Sequence, residues 1–249
     1  MTTAQQQVEL VVRTIAETAI ENERYFGDLD AVVGDGDFGY SLARGFEKLL
    51  EGWDDLDRSD PGTFLKKTGM VVTSRIGGTS GPLWGTAFMR AGMTAGADGE
   101  LSGEQVVAML RAAAEGIKAR GQSDVGDKTL LDALVPLTDR LEQELQAGAD
   151  GAAALAAAAE TARQAAEATT EMVARRGRAS YTGERSRGSV DAGAMAVAVI
   201  TDRVSKAWET QGASSRRSSS TTPRTSCPRC SRGSPGPTPT RSGTSPSTI

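Results

Sequence analysis

The chain has 249 residues, 38% of them hydrophobic, 4% aromatic and 24% charged, and a net charge of −4. It contains no His, which excludes a Ser-His-Asp triad, a Cys-His dyad and any His-ligated metal within the chain. Six Arg and no acid in residues 213–249 leave the first 212 residues strongly acidic, a body with no broad attraction for nucleic acid. No apolar run reaches membrane-spanning length, and the N-terminus lacks the regions of a signal peptide, so the expected location is cytoplasmic.

In chain order, residues 4–24 place Val8, Leu10, Val11, Ile15, Ala19 and Ile20 on one face at helical spacing. Residues 39–52 repeat the pattern with Leu42, Phe46, Leu49 and Leu50. Helices are then expected over 61–74, 81–95, 103–120, 128–147, 151–176 and 190–210. Ser102 and Gln105 form a capping-box pattern before the fifth. About eight helices and no strand define an all-α chain. Its unusual residues crowd into the loops 27–38, 75–80, 121–127 and 177–189, and loops on a rigid scaffold are where function concentrates.

Residues 1–212 read as one domain and 213–249 as a Ser/Thr/Pro/Arg-rich tail. The tail has too little apolar surface to offset the entropy of ordering, so disorder is expected. A frame-shifted reading of a GC-rich gene gives such a tail as readily as a natural basic extension does. Cys227-Pro-Arg-Cys230 lies within it, without the further ligands that zinc requires or the strand–helix context of a redox pair.

Four loop motifs carry chemistry or imitate it. Gly34-Asp-Gly36-Asp-Phe-Gly39 matches a dinucleotide fingerprint, but no strand–helix–strand series follows it. Asp37-Phe38-Gly39 matches a protein-kinase triplet whose companion H-R-D loop needs a His. Gly121–Thr129 approaches a P-loop, with Asp127 intruding between Gly126 and Lys128. The fourth is the acidic run itself: Asp28, Asp30, Asp35 and Asp37 fall within ten residues. Such a cluster is either a hard-cation site, since Mg²⁺ prefers carboxylate and phosphate oxygens, or a solvated turn capping the next helix.

Two later segments complement it. Gly77-Gly-Thr-Ser-Gly-Pro82 opens a helix whose free amides suit phosphate, or is an ordinary Gly-rich turn with Ser80 as N-cap. Arg175, Arg176, Arg178, Arg185 and Arg187 surround another loop, as phosphate donors or as a solvated charge run. Together these segments describe a nucleotide–metal site.

In this order LDAVVGDGDFG, GGTSGPLWGT, GDKTLLDAL and GRASYTGERSRGSVDAGA resemble the motifs of the L subunit of the dihydroxyacetone kinase family, over about residues 4–210. The resemblance implies an antiparallel barrel of eight helices with ADP or ATP and two Mg²⁺ bound at one end. Carried over by motif position, Asp30, Asp35 and Asp37 are expected as metal ligands. Phe38, Gly39, Tyr40, Ser41, Thr79, Ser80, Gly121, Leu130, Arg178, Asp191, Ala192 and Gly193 are expected around the nucleotide, with Arg178 also catalytic. Phe38, Ser41 and Ala192 stand where the family commonly has His, Asn and Pro.

The implied activity is phosphoryl transfer to a small ketose such as dihydroxyacetone. That ketose is carried by a separate K subunit through a covalent bond to a His, so this chain is expected to be inactive alone. The phosphoryl source is either exchangeable ATP or a retained ADP recharged by a phosphotransferase-system protein. Two other readings are an erythrulose-type kinase and a nucleotide-bound regulator acting on a transcription factor. Lys128 could in principle form a Schiff base, but Asp127 and Asp132 beside it are expected to keep it charged.

Overall fold

The computed structural model describes residues 3–96 and 101–219, with side chains through residue 211. Among them lie nine α-helices and no strand: α1 (Ala4–Glu21), α2 (Glu23–Asp30), α3 (Phe38–Glu51), α4 (Pro61–Arg75), α5 (Ser80–Ala95), α6 (Gly103–Gly121), α7 (Leu131–Gln146), α8 (Gly151–Ala168) and α9 (Ala192–Ser219). Polar caps set many of the starts. Thr3 and Gln6 form a reciprocal capping box on α1, while Asp60, Ser102 and Asp150 each accept the N–H three residues on.

From α3 onward each helix packs on its predecessor and successor, α1 packs on α3, and α9 returns to α1, so eight helices close a ring. The short α2 leans on α3 and α9. Consecutive helices run antiparallel, as short connections dictate, and the connections therefore alternate between two ends. Those at 31–37, 76–79, 122–130 and 169–191 share one end. Packing agrees: Gly77 abuts Ser41, Gly121 abuts Leu83, and Gly193 abuts Leu130. At the other end Gly62 meets the backbone of Gly96, and Gly103 meets Leu145.

Phe26, Phe46, Phe64, Leu42, Leu49 and Ile117 are fully buried in one core. Small residues bring backbones together elsewhere. Ala154, Ala158, Ala162 and Ala166 form a buried stripe along α8. On α4 and α5 the glycines pair: a Cβ on Gly69 would sit 2.8 Å from the Gly85 carbonyl oxygen, and one on Gly85 would sit 2.7 Å from that of Gly69.

Several boundaries differ from the sequence-based expectation. The first helix breaks at Asn22, and α2 carries helix into the expected 27–38 loop. Helix α7 begins at Leu131 because Lys128 adopts φ 62, outside the helical region. The helix expected over 151–176 stops at Ala168. Residues 178–186 form 3-10 turns, and α9 continues past Gly212 to Ser219. Residues 220–249, with Cys227 and Cys230, lie outside the described residues. No described helix is long and apolar enough to cross a membrane.

Candidate nucleotide and metal site

The acidic run folds around the end of α2. Asp30 closes that helix, its carbonyl accepts the Gly34 N–H at 2.6 Å, and its Oδ2 accepts the Phe38 N–H at 3.3 Å. The turn this makes returns the chain on itself, placing carboxylate oxygens of Asp30, Asp35 and Asp37 within 4.8 Å of one another. Asp28 stands apart, paired with Arg24 one turn back. Ligands on opposite sides of an octahedral Mg²⁺ are about 4.2 Å apart, so this spacing suits a hard cation. Asp37 precedes α3 yet makes no side-chain cap. Its carboxylate turns instead to Arg178, 3.0 Å away, and the same guanidinium pairs with Asp35.

Gly39 is buried because a Cβ there would run into the α2 backbone, 1.9 Å from the Glu23 carbonyl oxygen. Its role is to let α3 start directly against α2. Tyr40 faces solvent, 59% exposed, with Arg44 over its ring at 5.4 Å. Ser41, one turn along α3, lies against Gly77 and so joins the acidic turn to the 76–79 connection.

That connection enters α5 with Thr79, not Ser80, at the N-cap, and no side chain caps the first turn. The amides at a helix start left without such a cap, together with the helix dipole, favour an anion. Pro82 lies in the same turn and has no N–H to offer.

The remaining expected residues meet at the starts of α7 and α9. Gly193 packs on Leu130, and Ala192 is buried in the first turn of α9. Asp191 caps that helix, accepting the Ala194 N–H at 2.7 Å, while its own N–H donates to Thr169 Oγ1 at 2.9 Å. Burial of its carboxyl is the main reason its pKa is pushed up to about 7, with the Asp132 and Asp30 charges adding to the rise. The Ala194 N–H and the Lys128 ammonium oppose that rise.

Lys128 and Asp132 are structural members that motif reasoning did not assign. Lys128 is 2% exposed, and its Nζ donates to the carbonyls of Met172 at 3.2 Å, Ser189 at 2.6 Å and Ser186. Main-chain oxygens hold this ammonium, not Asp127 and Asp132 as expected. Burial shifts its pKa downward, and the Asp191 charge resists the shift. Asp132 is buried and accepts the Gly126 and Thr129 N–H groups, the latter at 2.7 Å. The spacing Thr129-x-x-Asp132 is a capping-box signature that could have revealed it. Asp127 pairs with Arg176 at 3.2 Å and Arg175 at 3.9 Å.

Comparison with known proteins gives a consistent picture. The DAK2 domain family model matches residues 32–206. The ADP-binding subunit DhaL of the PEP-dependent dihydroxyacetone kinase of Escherichia coli K12 is 43% identical over 173 residues, covering 70% of this chain and 82% of that subunit. An L-erythrulose 1-kinase of Mycolicibacterium smegmatis is 38% identical, across 76% of this chain and 33% of its own length. The crystal structure of the C. freundii dihydroxyacetone kinase in complex with AMP-PNP and Mg²⁺ superposes with a TM-score of 0.60 at 26% identity, covering 79% of this chain and 33% of that one.

Proposed function

The chain belongs to the DAK2-domain family, and from that membership we propose that it is the nucleotide-binding subunit of a dihydroxyacetone-type kinase. In this role it presents a nucleotide phosphate to a ketose held on a partner K subunit. The observation that carries the reading is the convergence of Asp30, Asp35 and Asp37 with Arg178 at the end of the barrel that also carries the α5 N-terminus.

Phosphoryl transfer asks the protein for position and charge neutralisation more than for covalent chemistry. Asp30, Asp35 and Asp37 would hold two Mg²⁺, which when bound neutralise and align the phosphate oxygens. The α5 amides near Thr79 and Ser80 would accept phosphate oxygens, and the Arg178 guanidinium would steady charge that builds during transfer. Phe38, Gly39, Tyr40, Ser41, Gly121, Leu130, Asp191, Ala192 and Gly193 would border the nucleotide. Of these, Gly39 contributes by close packing and Tyr40 lies at the solvent edge. Lys128 is committed to three carbonyls and so is not placed to capture a ketone, which supports delivery of the sugar by a second chain.

The description of the E. coli relative as the ADP-binding subunit of a PEP-dependent kinase supports a retained ADP, recharged in place by a phosphotransferase-system donor, over exchangeable ATP. The 38% identity to an L-erythrulose 1-kinase favours a second reading, in which the ketose has four carbons.

The test is titration of the chain with ADP and ATP, with and without Mg²⁺, followed by coupled assays with a K subunit and either dihydroxyacetone or erythrulose. Mg²⁺-dependent nucleotide binding and turnover only with the K subunit are expected. Nucleotide binding indifferent to Mg²⁺, or equal turnover without the partner, would overturn the reading.

A further inference from the structure

The acidic turn already has a cation. Arg178 spans Asp35 and Asp37, two of the three carboxylates assigned to metal, and no other basic side chain pairs with the triad among the described residues. The contact is wet: the Arg178 side chain is 54% exposed and the two carboxylates 45% and 51%. Ion pairs of that exposure are weak and exchangeable.

The arm that carries Arg178 is anchored at fixed posts, with two glycines between them. One post is Ser186, fully buried, whose Oγ accepts the Ala174 N–H at 2.8 Å. The other is Lys128, whose Nζ grips the carbonyls of Met172, Ser186 and Ser189. Between them Gly177 and Gly183 take φ 65 and 57, with open space where a Cβ would lie. Arg178 is the first residue beyond Gly177, so rotation there re-aims the guanidinium without disturbing either post.

We propose that Arg178 is the resident counter-ion of the Asp30–Asp35–Asp37 cluster, and that its transfer from these carboxylates to nucleotide phosphate couples metal binding to nucleotide binding. The proposal rests on the metal and nucleotide reading given above and adds a ground-state role to Arg178. Without nucleotide, a divalent cation entering the cluster must displace the guanidinium, leaving it without an anionic partner. With nucleotide bound, phosphate oxygens accept the guanidinium as it leaves, since planar Arg donors match phosphate well. Each ligand therefore tightens the other, and the coupling is reciprocal.

The experiment measures Mn²⁺ binding to the full chain by the electron paramagnetic resonance signal of free Mn²⁺, with and without ADP, in wild type, Arg178→Gln, Arg178→Lys and Asp37→Asn. Without ADP, Arg178→Gln is expected to bind Mn²⁺ about three- to tenfold more tightly than wild type, in keeping with the modest strength of exposed ion pairs. Arg178→Lys, which keeps the charge, should stay nearer wild type. ADP should tighten Mn²⁺ binding in wild type by a larger factor than in Arg178→Gln. Equal or weaker Mn²⁺ binding by Arg178→Gln without ADP, or an undiminished ADP effect in that variant, would overturn the proposal while leaving the site assignment intact. Mn²⁺ binding with ADP that survives Asp37→Asn unchanged would instead remove the metal reading and the proposal with it.

Discussion

The residues at the reacting end divide by what each charge faces. Asp35 and Asp37 are about half exposed, so they are available to a cation. Asp35→Asn or Asp37→Asn removes a charged oxygen proposed as a metal ligand, and calorimetry should show Mg²⁺-dependent ADP affinity falling by roughly tenfold or more. Asp191 has the opposite character. Burial pushes its carboxyl pKa up to about 7, with the Asp132 and Asp30 charges adding to the rise. A carboxyl whose pKa is higher in the folded state stabilises most at pH below about 4 and loses that contribution as pH rises toward 7. Asp191→Asn keeps an oxygen for the Ala194 N–H but does not titrate. The melting temperature of wild type relative to Asp191→Asn should therefore decline between pH 5 and 8, as thermal melts across that range would show. A constant difference would mean that Asp191 is charged throughout.

The expected elements were recovered where packing follows a one-dimensional pattern and missed where it does not. Apolar spacing in 39–52 and 103–120 marks α3 and α6 because each buries a single face. The same spacing across 4–24 hides the break at Asn22, since the apolar stripe continues through it. Leu29–Val33 could pass as a strand, but α2 runs to Asp30 and Val32 is 65% exposed. Helix-forming residues run beyond Ala168, yet Thr169 Oγ1 turns back to the Ala166 carbonyl and the chain leaves the helix. In the site, the carboxylates were legible from their density. The grip of Lys128 was not, because backbone carbonyls as acceptors leave no mark on a sequence. Nor was the Arg178–Asp37 contact, which joins residues 141 positions apart. The α4–α5 seam offers a test at this scale. Gly85→Ala gains about 1 kcal/mol of helix propensity. It also forces a methyl onto the Gly69 carbonyl at 2.7 Å and the Thr73 hydroxyl, and overpacking of this kind costs about 1–3 kcal/mol. Backbone cannot yield as a side chain can, so a net loss of about 1–2 kcal/mol should appear in urea unfolding.

At the scale of the whole molecule, an even number of ring helices sorts the connections: every second one belongs to the reacting end. Helix α9 spans 28 residues against 16 for α5 and α7, roughly 40 Å against 24 Å. Near Trp208 it is already level with the start of α8 at the opposite end, so its last residues extend past the ring. Truncation after Gly212 should leave both the melting temperature, within a few degrees, and the ADP affinity unchanged. A larger fall would show that the overhanging turns or the residues beyond them brace the barrel. The same alternation puts Thr3 and Ser219 at the end remote from the acidic turn. A covalent tether joined at either point would run away from the face proposed to present phosphate to the sugar, so the barrel can be spliced into a longer polypeptide without rebuilding that face. Its geometry thus suits both a free-standing subunit, as in the E. coli relative, and one part of a chain about three times as long, as in the C. freundii kinase.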